Sequence, residues 1–244
     1  MKILVQKNSD RDAIGVTNAL AATGRHEIML WDPDQHDIKE AAPDLYIFTD
    51  ISKLGRYTYN NVIKSARFLF FFFFQPEELD VKGVSLENLP YCADILRYPI
   101  NLISKELYCD VFYLSNFKTD HTDILKKINL NNLSFRIAGA SPVSLPNYIG
   151  RLDNPNEISQ MCLSAGVCID FDLEYGLDIL KIGGRVITNV ENSLDIPTFN
   201  ENNINEVIRG IINTKKPVLN KYETLIMTYT NLLEHISKLV GVEC

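Results

Sequence analysis

Residues 168–189 read CIDFDLEYGLDILKIGGRVITN: an apolar strand, an acidic loop, a short helix and a double glycine precede a second apolar strand. A strand, a crossover helix and another strand in this order are typical of a parallel sheet. Gly183 and Gly184 stand where the helix must end and turn sharply, a position that favours glycine. The stretch therefore predicts one βαβ unit.

The same alternation extends through the second half of the chain. Strands and helices are predicted in the order CDVFYLSNF (109–117), TDILKKINL (122–130), SFRIAGA (134–140), NYIGRL (147–152), NPNEISQMCLSAG (154–166), VCIDFD (167–172), YGLDILKIG (175–183) and RVITN (185–189). Asn154 followed by Pro155 is typical of a capped helix start. SLDIPTF (193–199) predicts a strand or turn, and 221–241 predicts one closing helix that could pack on either half.

The first half of the chain shows a second, independent alternation. Its predicted elements are strands at 2–6, 26–32, 44–50 and 68–74 and helices at 12–23 and 59–67. The run FLFFFFF (68–74) favours a central strand buried on both faces over an aromatic binding platform. Residues 75–106 have no clean period and predict one or two short elements plus a linker.

Two consecutive Rossmann-like units predict an α/β fold with two parallel-sheet domains facing a cleft. The predicted domains are residues 1–106, which form a small N-terminal domain, and residues 107–244, which include the closing helix 221–241. Ligands of such folds usually bind at the carboxyl ends of the strands. The sequence therefore predicts that the ligand-binding residues lie in the loops that follow the strands.

Composition narrows the possible functions. Lys and Arg number 24 against 31 Asp and Glu, which gives a formal charge of −7 without a basic block, so nucleic acid is a disfavoured partner. The five cysteines form no CxxC pair and predict reduced, cytosolic thiols. The start of the chain is too short for a signal-peptide core, and no apolar run approaches a membrane span, so a soluble cytoplasmic protein is expected.

Several familiar chemical motifs are missing from the sequence. There is no HExxH and no Cys/His grouping, and DFD at 170–172 has the DxD spacing only by its place at a strand end. P-loop, GxGxxG and GxSxG patterns are absent as well. No cofactor is therefore expected, and kinase, ATPase and dehydrogenase activities are disfavoured.

The landmarks over residues 109–240 resemble the nucleotide-binding domain of GT-B glycosyltransferases, and most closely that of phage DNA β-glucosyltransferases and related short transferases. By this resemblance the turn after the strand 109–117 holds the diphosphate of a UDP-sugar. Ser115, Asn116 and Lys118 are then the phosphate-side candidates, and anion binding at a helix N-terminus supplies the physical basis. The other possibility is an ordinary βα turn with a solvated lysine.

The resemblance also assigns the rest of the donor site. The turn of Arg151 and Leu152 after Gly150 is expected to lie against the nucleobase and to read its edge through the backbone. The resemblance also places Gly176, at the start of the next helix, among the donor-binding residues. In this helix the family places a basic residue and then a ribose-binding Glu, and the matching positions here are Asp178 and Lys181. Because these charges are reversed, Glu174 is the alternative acceptor for the ribose hydroxyls, or Lys181 contacts a phosphate.

Asp178 and Lys181 are also three residues apart, so a surface ion pair is equally compatible with the spacing.

A catalytic base is expected among carboxylates at or after strand ends of the first half. Asp50 is favoured, Asp12 is the second choice, and Asp10 and Asp32 remain candidates. His121 is a weaker alternative. Each of these aspartates could instead be a routine helix cap.

The predicted function is transfer of a sugar from a nucleoside diphosphate donor, most simply a UDP-sugar, to an acceptor hydroxyl. The acceptor remains open between a glycan, a small molecule and a modified DNA base. A DNA acceptor would need a basic face assembled from Lys53, Arg56, Lys64 and Arg67. The alternative is a non-catalytic GT-B-like protein that binds a ligand or a partner, and a doubly wound signalling domain in the first half is less favoured.

Overall fold

A computed structural model describes residues 2–6, 11–32, 43–48, 68–72, 85–89, 92–94, 98–115, 121–128, 132–139, 145–171, 173, 175–192, 194–214 and 221–240. The chain divides into two compact units. Met1–Ala93 and Met227–Cys244 form the N-terminal unit, and Asp94–Ile226 forms the C-terminal unit.

The strands are β1 Lys2–Gln6, β2 Glu27–Trp31, β3 Leu45–Phe48, β4 Phe68–Phe72, β5 Ser85–Leu89, β6 Cys92–Ala93, β7 Cys109–Ser115, β8 Phe135–Gly139, β9 Tyr148–Gly150, β10 Ala165–Asp170, β11 Val186–Thr188 and β12 Met227–Thr228. The helices are α1 Arg11–Thr23, α2 Thr122–Lys126, α3 Pro155–Ser164, α4 Gly176–Lys181, α5 Ile204–Asn213, α6 Tyr222–Leu225 and α7 Tyr229–Val240.

The N-terminal unit is a five-stranded parallel sheet in the order β2-β1-β3-β4-β5. Strand β4, from the phenylalanine run, is hydrogen-bonded on both edges, which agrees with its prediction as an interior strand. Helix α1 ends at Thr23, and Gly24 follows with a φ of 61°, the left-handed conformation expected after a helix. The predicted strands at 2–6, 26–32 and 44–50 are confirmed, whereas the predicted helix at 59–67 lies outside the described residues.

Helix α7 packs on α1 and contributes Leu232, Leu233 and Ile236 to the core of the N-terminal unit. The two helices approach so closely that a Cβ on Gly15 would lie 2.1 Å from the Tyr229 ring. Only glycine leaves room for the aromatic ring at this crossing. The closing helix therefore belongs to the N-terminal unit and not to the predicted C-terminal domain.

The C-terminal unit is a second five-stranded parallel sheet, in the order β11-β10-β7-β8-β9. Its core includes Val111, Ile137, Ile169 and Ile187 from four neighbouring strands. Asn154 accepts from the Asn156 N–H at 3.0 Å and caps α3, which confirms the predicted helix start. The two Rossmann-like sheets confirm the predicted α/β fold class.

The double glycine closes α4 as expected. Gly183 has a φ of 99° and donates to the Leu180 carbonyl, and Gly184 donates to the Ile179 carbonyl at 2.8 Å. This pair of bonds is a Schellman motif, which satisfies two carbonyls that the helix end leaves open.

The observed domain boundary lies at Ala93 and Asp94, earlier than the predicted boundary at residues 106 and 107. The reason is that the predicted linker is hydrogen-bonded to the C-terminal unit. Ser104 donates its N–H to the Ser164 hydroxyl at 2.9 Å, and the Asn101 amide donates to the Asn156 carbonyl at 3.1 Å.

Candidate functional site

The C-terminal sheet has a topological switch point between β7 and β10. After β7 the chain adds β8 and β9 on one side of that strand, and it then adds β10 and β11 on the other side. Ligands of open α/β sheets bind outside the carboxyl ends of the strands at such a point. The residues at the carboxyl ends of β7, β8 and β10 therefore define the candidate site.

Ser115, a predicted phosphate ligand, ends β7 and is buried. Its hydroxyl donates to the Ala138 carbonyl across 3.2 Å. Opposite it, Gly139 has a φ of +137°, and a Cβ there would lie 2.3 Å from the Ser115 carbonyl oxygen. The serine hydroxyl thus joins β7 to β8 where only glycine allows the strands to approach.

Asp170 ends β10, and its buried carboxylate folds back onto the start of α4. Oδ2 accepts from the backbone N–H groups of Tyr175 at 3.1 Å and Gly176 at 2.5 Å. A carboxylate at this place offsets the positive end of the helix and satisfies donors of its first turn. Gly176, a predicted cofactor-binding residue, therefore uses its amide to bind Asp170.

The Tyr175 side chain lies between the two central strands. Its buried hydroxyl donates to the Ile169 carbonyl of β10 and accepts from the Leu114 N–H of β7 at 3.3 Å. Burial, reinforced by the nearby Asp170 charge, raises the pKa of this phenol well above its usual value. The hydroxyl therefore stays protonated and acts as a neutral bridge between the strand ends.

An aromatic cluster lies beside these groups. Phe171 contacts Tyr113 edge to face, with ring centroids 5.5 Å apart, and contacts Phe199 in the same way at 5.3 Å. The imidazole of His121, directly before α2, stacks on Phe171 with centroids 3.8 Å apart and planes at 12°. His121 is thus packed on an aromatic face at the carboxyl ends of β7 and β10.

Asp178 and Lys181, the two charged residues of α4, make structural contacts. Asp178 is fully buried, and its Oδ1 accepts from the Asp94 N–H at 2.8 Å. Lys181 donates from Nζ to the Ile226 carbonyl at 2.8 Å. Since Asp94 and Ile226 are the first and last residues of the C-terminal unit, α4 holds both ends of that unit.

These contacts correct the interpretations of the pair. The surface ion pair is wrong, because the Asp178 carboxylate is buried. Asp178 uses Oδ1 and Lys181 uses Nζ for contacts within the C-terminal unit, and their predicted donor-binding roles stay predictions.

The predicted nucleobase turn is open to solvent. Gly150 has a φ of +128°, and a Cβ there would meet nothing within 4 Å. Arg151 is exposed and binds Asp153, while Leu152 is half-exposed. The room beside Gly150 is compatible with the predicted backbone contact to a base, which stays a prediction.

Four predicted site residues, Asp50, Asn116, Lys118 and Glu174, lie outside the described residues. The backbone of Asp12 lies in the first turn of α1, and its side chain is not described.

The structural roles of Asp170, Tyr175 and His121 were not predicted. One local signal was available for Asp170, since a carboxylate at the end of an apolar strand stands six residues before a helix that starts at glycine. No local signal marks the tyrosine bridge, because Leu114 is 61 residues away from Tyr175 along the chain.

Within the described ranges, no group of three or more His, Cys, Asp or Glu side chains could hold a metal ion. No helix of the described part of the chain is long and apolar enough to cross a membrane. Four cysteines, Cys92, Cys109, Cys162 and Cys168, are free thiols and are buried.

Comparison with solved structures gives matches over nearly the whole chain. AviGT4, a glycosyltransferase involved in avilamycin A biosynthesis, has a TM-score of 0.60 at 10% identity and aligns over 99% of this chain and 97% of its own. Spinosyn forosaminyltransferase SpnP has a TM-score of 0.53 at 11% identity, with 99% of each chain covered. UDP-GlcNAc 2-epimerase from Methanocaldococcus jannaschii has a TM-score of 0.53 at 9% identity, over 98% of this chain and 99% of its own.

T4 phage β-glucosyltransferase aligns more weakly, with a TM-score of 0.41 at 11% identity. No family model and no curated protein matches the chain. The full-chain matches and the two Rossmann-like sheets together show the GT-B fold, and the fold expected from the resemblance is confirmed.

Proposed function

We propose that the protein is a GT-B glycosyltransferase that moves a sugar from a nucleoside diphosphate donor, most simply a UDP-sugar, to an acceptor hydroxyl. The observation that carries this proposal is the full-chain match to the glycosyltransferase AviGT4, with both Rossmann-like sheets present. A second glycosyltransferase and an enzyme named for UDP-GlcNAc share the same fold. The nucleotide sugar in the name of the epimerase supports a nucleotide-sugar donor here.

In this proposal the donor binds at the switch point of the C-terminal unit. Asn116 and Lys118 follow β7 directly and hold the diphosphate, and Ser115 orders the strand end that precedes them. The open turn at Arg151 and Leu152 takes the nucleobase. Glu174 then serves as the acceptor for the ribose hydroxyls, because the position of the expected ribose-binding Glu is held by Lys181, which donates to the Ile226 carbonyl.

The proposed catalytic base for an inverting reaction is Asp50, with Asp12 as the second choice. Asp50 comes two residues after β3, and Asp12 belongs to α1, which follows β1. The reaction is proposed to need no metal, so EDTA should leave the activity unchanged. The buried thiols support a cytoplasmic location, since reduced cysteines are typical of that compartment.

A second candidate is a non-catalytic GT-B-like protein that binds a ligand or a partner. It is favoured by the structural use of predicted ligand groups: Gly176, Asp178 and Lys181 all bind other parts of the C-terminal unit. Such a protein would bind nucleotide or partner without turnover.

The test is a thermal-shift panel of UDP-, GDP-, ADP- and CMP-sugars at millimolar concentration. A ligand at about 100 times its Kd stabilises the folded state by about 2.7 kcal/mol, which is readily measured. We expect UDP-sugars to raise the Tm. No shift with any nucleotide would contradict the transferase proposal.

The matched variants are Lys118→Ala and Lys126→Ala. Both remove one positive charge near α2, but Lys126 is exposed and lies beside Asp123 at 3.4 Å. We expect Lys118→Ala to abolish the shift with UDP-sugars and Lys126→Ala to retain it. Equal loss in both variants would indicate a general charge effect and would contradict the phosphate site.

Product analysis then separates the candidate activities. A transferase or hydrolase releases UDP, an epimerase returns an isomeric UDP-sugar, and a non-catalytic protein returns the donor unchanged. Asp50→Asn should abolish UDP release while the thermal shift persists, because a base on the acceptor side is not needed to bind the donor.

A further inference from the structure

The turn of residues 170–176 joins β10 to α4 at the carboxyl edge of the C-terminal sheet. Direct pairing between β7 and β10 reaches Tyr113 and Ile169. One residue further along β7, the Tyr175 hydroxyl stands between the Leu114 N–H and the Ile169 carbonyl. The phenol thus extends the contact between the strands beyond their last direct pair.

The same turn is held a second time by Asp170. Its carboxylate accepts from the N–H groups of Tyr175 and Gly176, so the two ends of the turn are tied together. The fit at Gly176 is close, because a Cβ there would lie 2.6 Å from Asp170 Oδ2 and 2.9 Å from Val186 Cγ1.

Between these ties the backbone adopts an unfavourable conformation. Leu173 has a φ of 55°, in the left-handed region that a residue with a Cβ rarely occupies, and its side chain is buried. Such conformations persist where the surrounding structure determines them, and they concentrate at functional sites. Here the surroundings are the Asp170 cap and the Tyr175 bridge.

We infer that Asp170 and Tyr175 are positioning residues that hold the start of α4 against the ends of β7 and β10 for donor binding at the switch point. The inference rests on the proposed function. In the sequence the turn carries Glu174, the proposed acceptor for the ribose hydroxyls. A helix start that is fixed before binding does not have to be fixed by the ligand, which strengthens binding.

The test compares Tyr175→Phe with Tyr108→Phe in the full chain, and UDP is the probe. Tyr175→Phe keeps the ring and removes both hydroxyl contacts. Tyr108 donates to Asp110 at 2.9 Å at the opposite end of β7, so Tyr108→Phe also removes a tyrosine hydroxyl bond, but away from the turn. UDP affinity is measured by calorimetry, and the exchange of the Leu114 amide by hydrogen-exchange mass spectrometry or NMR.

We expect Tyr175→Phe to raise the Kd for UDP by about tenfold and to speed exchange at Leu114, and Tyr108→Phe to change neither. A Tyr175→Phe protein that has a lower Tm but binds UDP like the wild type would show a purely structural role and overturn the inference. Unchanged exchange at Leu114 would also overturn it.

Asp170→Asn provides a second variant if Tyr175→Phe does not fold. It keeps the shape and one acceptor of the cap, and it should weaken UDP binding by about threefold to tenfold. Failure of the proposed function itself is visible in the wild type, which would then bind no UDP. Failure of the inference alone appears as wild-type binding that neither variant alters.

Discussion

Removal of the Asp178 carboxylate distinguishes a structural role from a ligand role for α4. Asp178→Ala deletes the acceptor of the Asp94 N–H and leaves a small void at a fully buried position. A hydrogen bond to a charged group contributes about 1.5–3 kcal/mol, and a buried donor without a partner carries a similar cost. We therefore expect a loss of about 3 kcal/mol in the free energy of unfolding. At about 3 °C per kcal/mol, the Tm should fall by about 9 °C.

Asp178→Asn should be much milder. The amide oxygen still accepts from Asp94, and the neutral side chain avoids the cost of burying a charge. We expect a Tm about 3 °C below that of the wild type. Asp123→Ala is the control, because it removes a carboxylate whose side chain is 95% exposed, and it should leave the Tm unchanged.

The assay is thermal and urea unfolding of the full chain, followed by UDP binding for each variant that folds. A Tm of Asp178→Ala within about 1 °C of the wild type, together with weaker UDP binding, would refute the structural interpretation and restore the ligand role.

Three further predictions concern other parts of the two units. Gly184→Ala should lower the free energy of unfolding, measured by urea denaturation, by about 1–3 kcal/mol, because its Cβ would lie 2.3 Å from Ile179 Cγ2. The control is Gly210→Ala in α5, where a Cβ would meet nothing within 4 Å, and this change should raise the free energy of unfolding by about 0.5–1 kcal/mol. Burial of His26 lowers its pKa, so the unfolded state binds a proton first and the free energy of unfolding should fall as the pH drops below about 6.5; His26→Gln should flatten this slope, and an unchanged slope would contradict the assignment. Four of the five cysteines are buried, and burial raises the pKa of Cys109 to about 12. We therefore expect at most one thiol of the native protein to react quickly with Ellman's reagent at pH about 8, whereas all five should react in urea.

The alternation of strands and helices in the second half was predictable because each element carries its own periodic signal. The double glycine was predictable for the same reason, since a Schellman motif needs a left-handed residue directly after the helix. The predicted closing helix was less accurate. Ile226 is extended, with φ −97° and ψ 122°, and it separates α6 from β12 and α7. The pairing of β12 with β6 that holds this break is a long-range contact.

Helix α5 was not predicted, although Ile204, Ile208 and Ile211 have helical spacing.

The candidate site was less predictable than the fold. The spacing of Asp178 and Lys181 indicated that they face the same way, but their partners lie 84 and 45 residues away along the chain. A family resemblance identified positions on α4 without revealing that the carboxylate is buried. A local sequence pattern predicts which face of a helix a side chain lies on, whereas the groups that this side chain contacts depend on how the whole chain folds.

The two hydrogen bonds of α4 also bear on how this chain could have arisen. Residues three apart on a helix are neighbours about 5–6 Å apart, so Asp178 and Lys181 bring Asp94 and Ile226 close together. Strands β6 and β12, which immediately precede and follow the C-terminal unit, pair with each other. A segment whose two ends meet in this way can be inserted into a host protein, or excised from it, at a single point. The C-terminal unit therefore has the arrangement of an inserted domain, and the N-terminal unit that of a domain whose chain is interrupted by the insertion.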